Sequence, residues 1–153
     1  TERALAKHLG VSPTAVSNAL EALKKEKLVN VKKGESGRLS ISLNRDNPET
    51  FFMKRVENLR LIYESGLANY LSEKLPGAAI ILFGSYSFGE DAAGSDIDIA
   101  VIGSAEKEMD VKKFSRLLGR KISLNFYKSI DGIGKNLREN ILNGIVISGS
   151  VKL

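Results

Sequence analysis

Two short apolar runs, Ile80 to Phe83 and Ile97 to Ile102, bracket a polar, glycine-rich segment that ends in two carboxylates one residue apart, Asp96 and Asp98. The first run stops at Gly84, and Ile97, Ile99, Val101 and Ile102 mark a second strand with the acids at its entrance. Side chains alternate along a strand, so Asp96 and Asp98 project from one face. Two acids held side by side repel each other and are costly to desolvate, which points to a bound cation with oxygen ligands, most simply Mg²⁺. Mg²⁺ in turn points to phosphate. A turn at Gly84 and Ser85 lets backbone N–H groups approach an anion, the Ser85 hydroxyl adds a donor, and a short helix starting near Tyr86 adds its N-terminal partial charge. Together these parts suit a nucleoside triphosphate.

The pattern Gly84-Ser85, ten residues, then Asp96-Ile97-Asp98 resembles the signature of the minimal nucleotidyltransferases of the DNA polymerase beta superfamily. The resemblance implies a small mixed sheet with flanking helices. It also implies an Mg²⁺-dependent enzyme that moves a nucleoside monophosphate from a triphosphate, ATP by preference, onto a hydroxyl acceptor. Gly84 and Ser85 would hold the triphosphate, and Asp96 and Asp98 would be the catalytic, metal-binding pair. Two departures stand out. The family adds a third carboxylate from a later strand, but in Lys121 to Tyr127 the corresponding face presents Ser123 and Asn125. Neither supplies the charge or the base. Phe88 lies in the loop where relatives often carry a basic residue.

Near the start, Glu2 to Leu9 reads as a helix ending at Gly10, and Ser12-Pro13 opens a second helix with a cap and a proline at its first position. Val16, Leu20 and Leu23 recur at helical spacing as its inward face. Val29 to Lys33 and Arg38 to Leu43 read as strands around Gly34-Glu35-Ser36-Gly37. The words Leu-Ala-Lys-His-Leu-Gly-Val-Ser and Leu-Val-Asn-Val-Lys-Lys resemble a winged helix-turn-helix. That resemblance implies DNA binding by a transcription regulator, with Ser12, Thr14, Ser17 and Asn18 in the groove and Lys32, Lys33 and Arg38 on phosphate. Such domains usually begin with a further helix, and this sequence opens at Thr1 without methionine, so it reads as a piece of a longer protein.

The expected fold is therefore α+β: a winged helix-turn-helix over residues 1–46, then a polymerase-beta-like nucleotidyltransferase domain, a mixed sheet with flanking helices, over 47–153. Asn44 to Pro48 reads as the linker. Residues 1–46 hold nine Lys or Arg against five Asp or Glu, whereas 47–153 hold fourteen against thirteen, so most of the net +5 sits where DNA would bind. The first unit is small enough that a twin subunit would help bury its apolar faces, making a homodimer a fair expectation. The lack of cysteine and the single histidine, His8, exclude a disulfide framework and argue against zinc. With no apolar run near the ~20 residues of a membrane span and no export leader, a cytoplasmic protein is expected.

Residues from Glu49 to Lys74 read as one long helix whose stripe of Phe52, Val56, Leu59, Tyr63, Leu67 and Tyr70 faces the core. Glu108 to Leu118 and Ile130 to Asn143 read as further helices, and residues 145–153 as a terminal strand or hairpin. Among a group of basic residues around the helix before the third strand, Arg120 and Lys121 lie beside the strand that faces the metal. Three functional classes fit: a DNA-coupled nucleotidyltransferase, a DNA-binding regulator whose transferase-like domain senses a nucleotide, and, since some minimal nucleotidyltransferases act as antitoxins, a protein that modifies or masks a toxin partner.

Overall fold

A computed structural model of the chain describes residues 2–34 and 39–152. Helix α1 (Glu2–Leu9) is followed by α2 (Pro13–Lys25), where the Ser12 hydroxyl accepts a hydrogen bond from Ala15 N at 3.1 Å and Pro13 takes the first helical position. Ala6, Val16 and Leu20 are buried together, with Leu5, Val29 and Ile41 packed against them. Leu23, expected inside, is instead exposed, because this small cluster ends one turn earlier. Strands β1 (Val29–Lys33) and β2 (Leu39–Leu43) pair antiparallel, with Val29 opposite Leu43 and Lys33 opposite Leu39. Arg38 lies outside the described residues.

The chain packs as two compact units, residues 1–51 and 52–153. The Asn44 to Pro48 stretch is not a free linker. Asn44 N donates to Leu28 O at 2.9 Å, and the Asn44 side chain donates to Lys27 O at 2.8 Å. Asn47 Nδ2 reaches Glu26 O and Lys27 O at 3.3 and 3.1 Å. These side-chain amides satisfy carbonyls left over at the end of α2, so the segment belongs to the first unit and the division falls beyond it.

The long helix is in fact two, α3 (Pro48–Glu64) and α4 (Leu67–Lys74), broken at Ser65-Gly66, where Gly66 adopts a left-handed φ of 78°. The expected stripe holds only in part: Leu67 is buried and Tyr70 packs on the core. Phe52, Val56 and Tyr63 are exposed, while Asn58 and Ile62 are buried and Lys54 is half-buried. The inward face of α3 is thus partly polar, for a reason that lies in the site.

Four strands form a mixed sheet in the order β5-β4-β3-β6: β3 (Ala79–Phe83), β4 (Ile97–Ile102), β5 (Ile122–Tyr127) and β6 (Ile145–Ser148). β3 pairs antiparallel with both β4 and β6, and β4 pairs parallel with β5. Ile80, Leu82, Ile97, Ile99 and Val101 pack on Ile62, Leu67, Leu71 and Phe114. The alternate residues Ile81, Phe83, Ala100 and Ile102 pack on Ile130, Ile133 and Ile141. The central strands are therefore buried on both faces, which accounts for their unbroken apolar runs. The remaining helices are α5 (Gly84–Phe88), α6 (Lys112–Leu118) and α7 (Lys135–Leu142). The last two start later than expected. Asp110 turns the chain by accepting from Lys112 N at 3.1 Å, and a turn in which Ile133 N donates to Ile130 O at 3.3 Å buries both isoleucines ahead of α7. Among the described residues, no helix is long and apolar enough to cross a membrane.

Candidate functional site

β3 delivers the chain to Gly84, and β4 returns it antiparallel so that Phe83 lies opposite Asp98. Gly84 has a φ of 70°, and a Cβ placed on it would come 2.9 Å from Asp98 Oδ2. The backbone of the turn thus lies directly against the Asp98 carboxylate, an approach that only glycine permits. The turn is closed by Ser87, whose hydroxyl donates to Gly84 O at 2.8 Å. Ser85 follows Gly84 in the first turn of α5 and is half-buried.

Asp96 and Asp98 flank Ile97, which is buried in the opposite face of the sheet, so both acids fall on the face shared with Ala100. Their environments differ. Lys121 Nζ sits 3.0 Å from Asp96 Oδ2, and Ser123 Oγ donates to the same oxygen at 3.2 Å. The Lys121 hydrogen bond holds the Asp96 carboxyl below the usual carboxylate range, with partial desolvation opposing it and Ser123 assisting. Asp98 is pushed upward, first by burial and then by the neighbouring Asp96 charge, and only partly relieved by Lys121. An acid made harder to ionise beside one made easier is a pair that a cation would relieve.

Strand β5 places Ser123 opposite Asp98 and Asn125 opposite Ala100. Of the two candidates for the third position, Ser123 is the one bonded to the acid pair, whereas the Asn125 amide donates weakly to Ser123 O at 3.5 Å. Among the described residues, no group of three His, Cys, Asp or Glu side chains is gathered for a metal. The donor set at this end of the sheet, two coupled carboxylates and a serine hydroxyl, is oxygen-only and suits one hard divalent cation.

One ionisable residue at the site was missed in the sequence. Asp91, in the loop from α5 to β4, is buried, with Lys54 Nζ 2.9 Å from Oδ1, Asn58 Nδ2 donating to Oδ1 at 2.8 Å and Arg120 Nη2 2.7 Å from Oδ2. Asn58 also donates to Tyr86 O at 2.9 Å, and the Arg120 guanidinium lies 5.7 Å from the Tyr86 ring centroid. These contacts explain the polar inward face of α3. Nothing local in Glu90-Asp91-Ala92-Ala93-Gly94 marks the aspartate as buried, since its partners come from α3 and from the turn between α6 and β5.

In the first unit, Ser12, Thr14, Asn18, Lys32 and Lys33 are exposed and Ser17 is half-buried. Ser12 commits its hydroxyl to capping α2. A comparison with protein families matches residues 64–148, more than half of the chain, to the family described as nucleotidyltransferase domain. Comparisons with curated proteins and with solved structures return no match.

Proposed function

The chain belongs to the nucleotidyltransferase domain family, and from that premise we propose that the second unit binds a nucleoside triphosphate with Mg²⁺ and transfers its nucleoside monophosphate to a hydroxyl acceptor. The observation that carries the proposal is the contact of Gly84 with Asp98, which sets a glycine turn directly against a pair of neighbouring carboxylates. Asp96 and Asp98 would hold the cation, which would supply charge neutralisation at the phosphates. Gly84 and Ser85 would hold the triphosphate, for which ATP is the natural first choice. In the transfer, the acceptor oxygen bonds to the α-phosphorus, the bond to the β-phosphate oxygen breaks, pyrophosphate leaves and the hydroxyl proton passes to solvent.

A second reading is favoured by one residue. Ser123 stands beside the acids where a third carboxylate would serve as charged ligand and base, and its neutral hydroxyl brings neither the charge nor the base. On this reading the unit senses nucleotide with little turnover. In both readings, the first unit serves as a winged helix-turn-helix that binds DNA through exposed Thr14 and Asn18, with Ser17, and through Lys32 and Lys33 on phosphate. Binding to a toxin-like protein partner or to a second copy of the chain would be compatible with either.

Calorimetric titration of each triphosphate with Mg²⁺, on wild type and on Asp96→Asn/Asp98→Asn, followed by a pyrophosphate assay, tests the proposal. Binding lost in the double variant together with pyrophosphate release by wild type supports transfer. Metal-dependent binding without release, even with candidate acceptors present, supports sensing. No binding by wild type refutes both.

A further inference from the structure

Within the short loop that carries Asp96, Ala92 N donates to Ser95 Oγ at 2.9 Å, and Ser95 N donates to Ala92 O at 3.1 Å. One guanidinium reaches into it from outside at several points. Arg120 Nη2 pairs with the Asp91 carboxylate at 2.7 Å, while Nη1 donates to Ser95 O at 3.0 Å and also to Ala92 O. One planar group thus grips the loop at its start, its middle and the residue before Asp96. Lys54 grips the same place from α3, donating to Asp91 O at 2.7 Å as well as pairing with its carboxylate. Lys54 and Asn58 both lie upstream of the segment matched to the family.

Burying an ionised carboxylate is a poor way to gain stability. The desolvation of the ions offsets most of their attraction, and well-packed apolar side chains would do as well. What a forked guanidinium adds is direction, since its donors fix the groups that accept from them. The residue whose place is fixed here is Asp96, which follows Ser95 directly and is held on its other side by Lys121, the neighbour of Arg120.

We infer that Asp91 and Arg120 are positioning residues for the cation site: together they hold the loop so that the Asp96 carboxylate stands beside Asp98 in the place where a divalent cation needs it. The inference rests on the proposed metal and nucleotide site. Arg120→Lys keeps the charge and loses the fork, and Asp91→Asn keeps the shape and loses the charge.

The test is Mn²⁺ binding to the full chain, followed by the loss of the free-ion spin-resonance signal, together with hydrogen exchange of residues 90–97, both well below the melting temperature. Near-UV tyrosine dichroism reports the second unit, where all four tyrosines lie. Each variant is expected to keep that signal, to exchange faster over the loop and to bind Mn²⁺ about tenfold or more weakly, the usual effect of losing a group that orients a metal ligand. If either variant folds and binds Mn²⁺ like wild type, the two residues serve stability alone and the inference is overturned. Asp98→Asn distinguishes the two levels. If wild type binds no Mn²⁺, or Asp98→Asn binds it undiminished, the metal site itself is wrong and the inference falls with it. If wild type binds, Asp98→Asn does not and Arg120→Lys matches wild type, only the inference fails.

Discussion

Gly84→Ala separates the cost of backbone strain from the cost of crowding a carboxylate. At a φ of 70°, any side chain suffers the left-handed penalty of about 1 kcal/mol. Gly77 provides the comparison, because its φ of 81° carries the same penalty while a Cβ there meets nothing within 4 Å. At Gly84 the added Cβ would come 2.9 Å from Asp98 Oδ2, so the carboxylate must retreat by roughly half an ångström to reach ordinary contact. Gly77→Ala should therefore lose ~1 kcal/mol, or about 4–8 °C in Tm for a unit of this size, and bind Mg²⁺ and nucleotide as wild type does. Gly84→Ala should lose somewhat more, ~1–3 kcal/mol with the overpacking included, and its nucleotide affinity should fall by about tenfold or more. Thermal melts read by tyrosine dichroism give the first quantity, and calorimetric titration gives the second. Equal nucleotide affinity in the two folded variants would refute the argument that the turn is fitted to Asp98.

Asp98→Asn should make the ligand-free protein more stable near neutral pH. The folded state holds the Asp98 proton to higher pH than the unfolded chain does, so wild-type stability falls as pH rises from the ordinary carboxylate range through the raised folded value, and the asparagine variant should lack that fall. Urea midpoints at about pH 4 and about pH 7 measure it, and an identical pH dependence in both proteins would contradict it. Ser123→Asp should place a third carboxylate at the pair, lowering stability without metal, tightening Mn²⁺ binding and producing or accelerating pyrophosphate release; unchanged metal affinity would show that position 123 does not face the cation. Ser12→Ala should cost about 1 kcal/mol in the first unit by removing the cap of α2. Far-UV dichroism should register that loss while the tyrosine signal stays fixed, and coincident loss of both signals would mean the units do not melt separately.

The candidate site is legible because the chemistry proposed for it is local. Gly84, Ser85, Asp96 and Asp98 lie within one strand-turn-strand, and alternation alone puts the acids on one face. The third position was legible only as a pair, Ser123 or Asn125, since choosing between them needs the register of β5 against β4. The break at Ser65-Gly66 was missed because a glycine within an otherwise helical stretch is tolerated often enough not to announce an end. The general rule that apolar faces turn inward puts the stripe of Phe52, Val56 and Tyr63 in the core. Here the inward face of α3 answers to Asp91, so Asn58 and Lys54 take positions that a pattern of hydrophobicity assigns to leucine. That rule fails wherever a buried charge sets the requirement.

The strand order β5-β4-β3-β6 also says something about how the chain comes into being. β3 and β4 are joined by the site's own loop, so they can meet while the ribosome is still making β5 and β6. β6, made after the other three strands, closes the far side of β3. Until it arrives, Ala79-Ile80-Ile81-Leu82-Phe83, every residue of which is buried in the finished sheet, has an open edge and no charge to protect it. Ribosome-bound or truncated chains that end between α7 and β6 should thus be more prone to aggregate than chains that include β6, and the demand for chaperones on this unit should fall once β6 has left the ribosome.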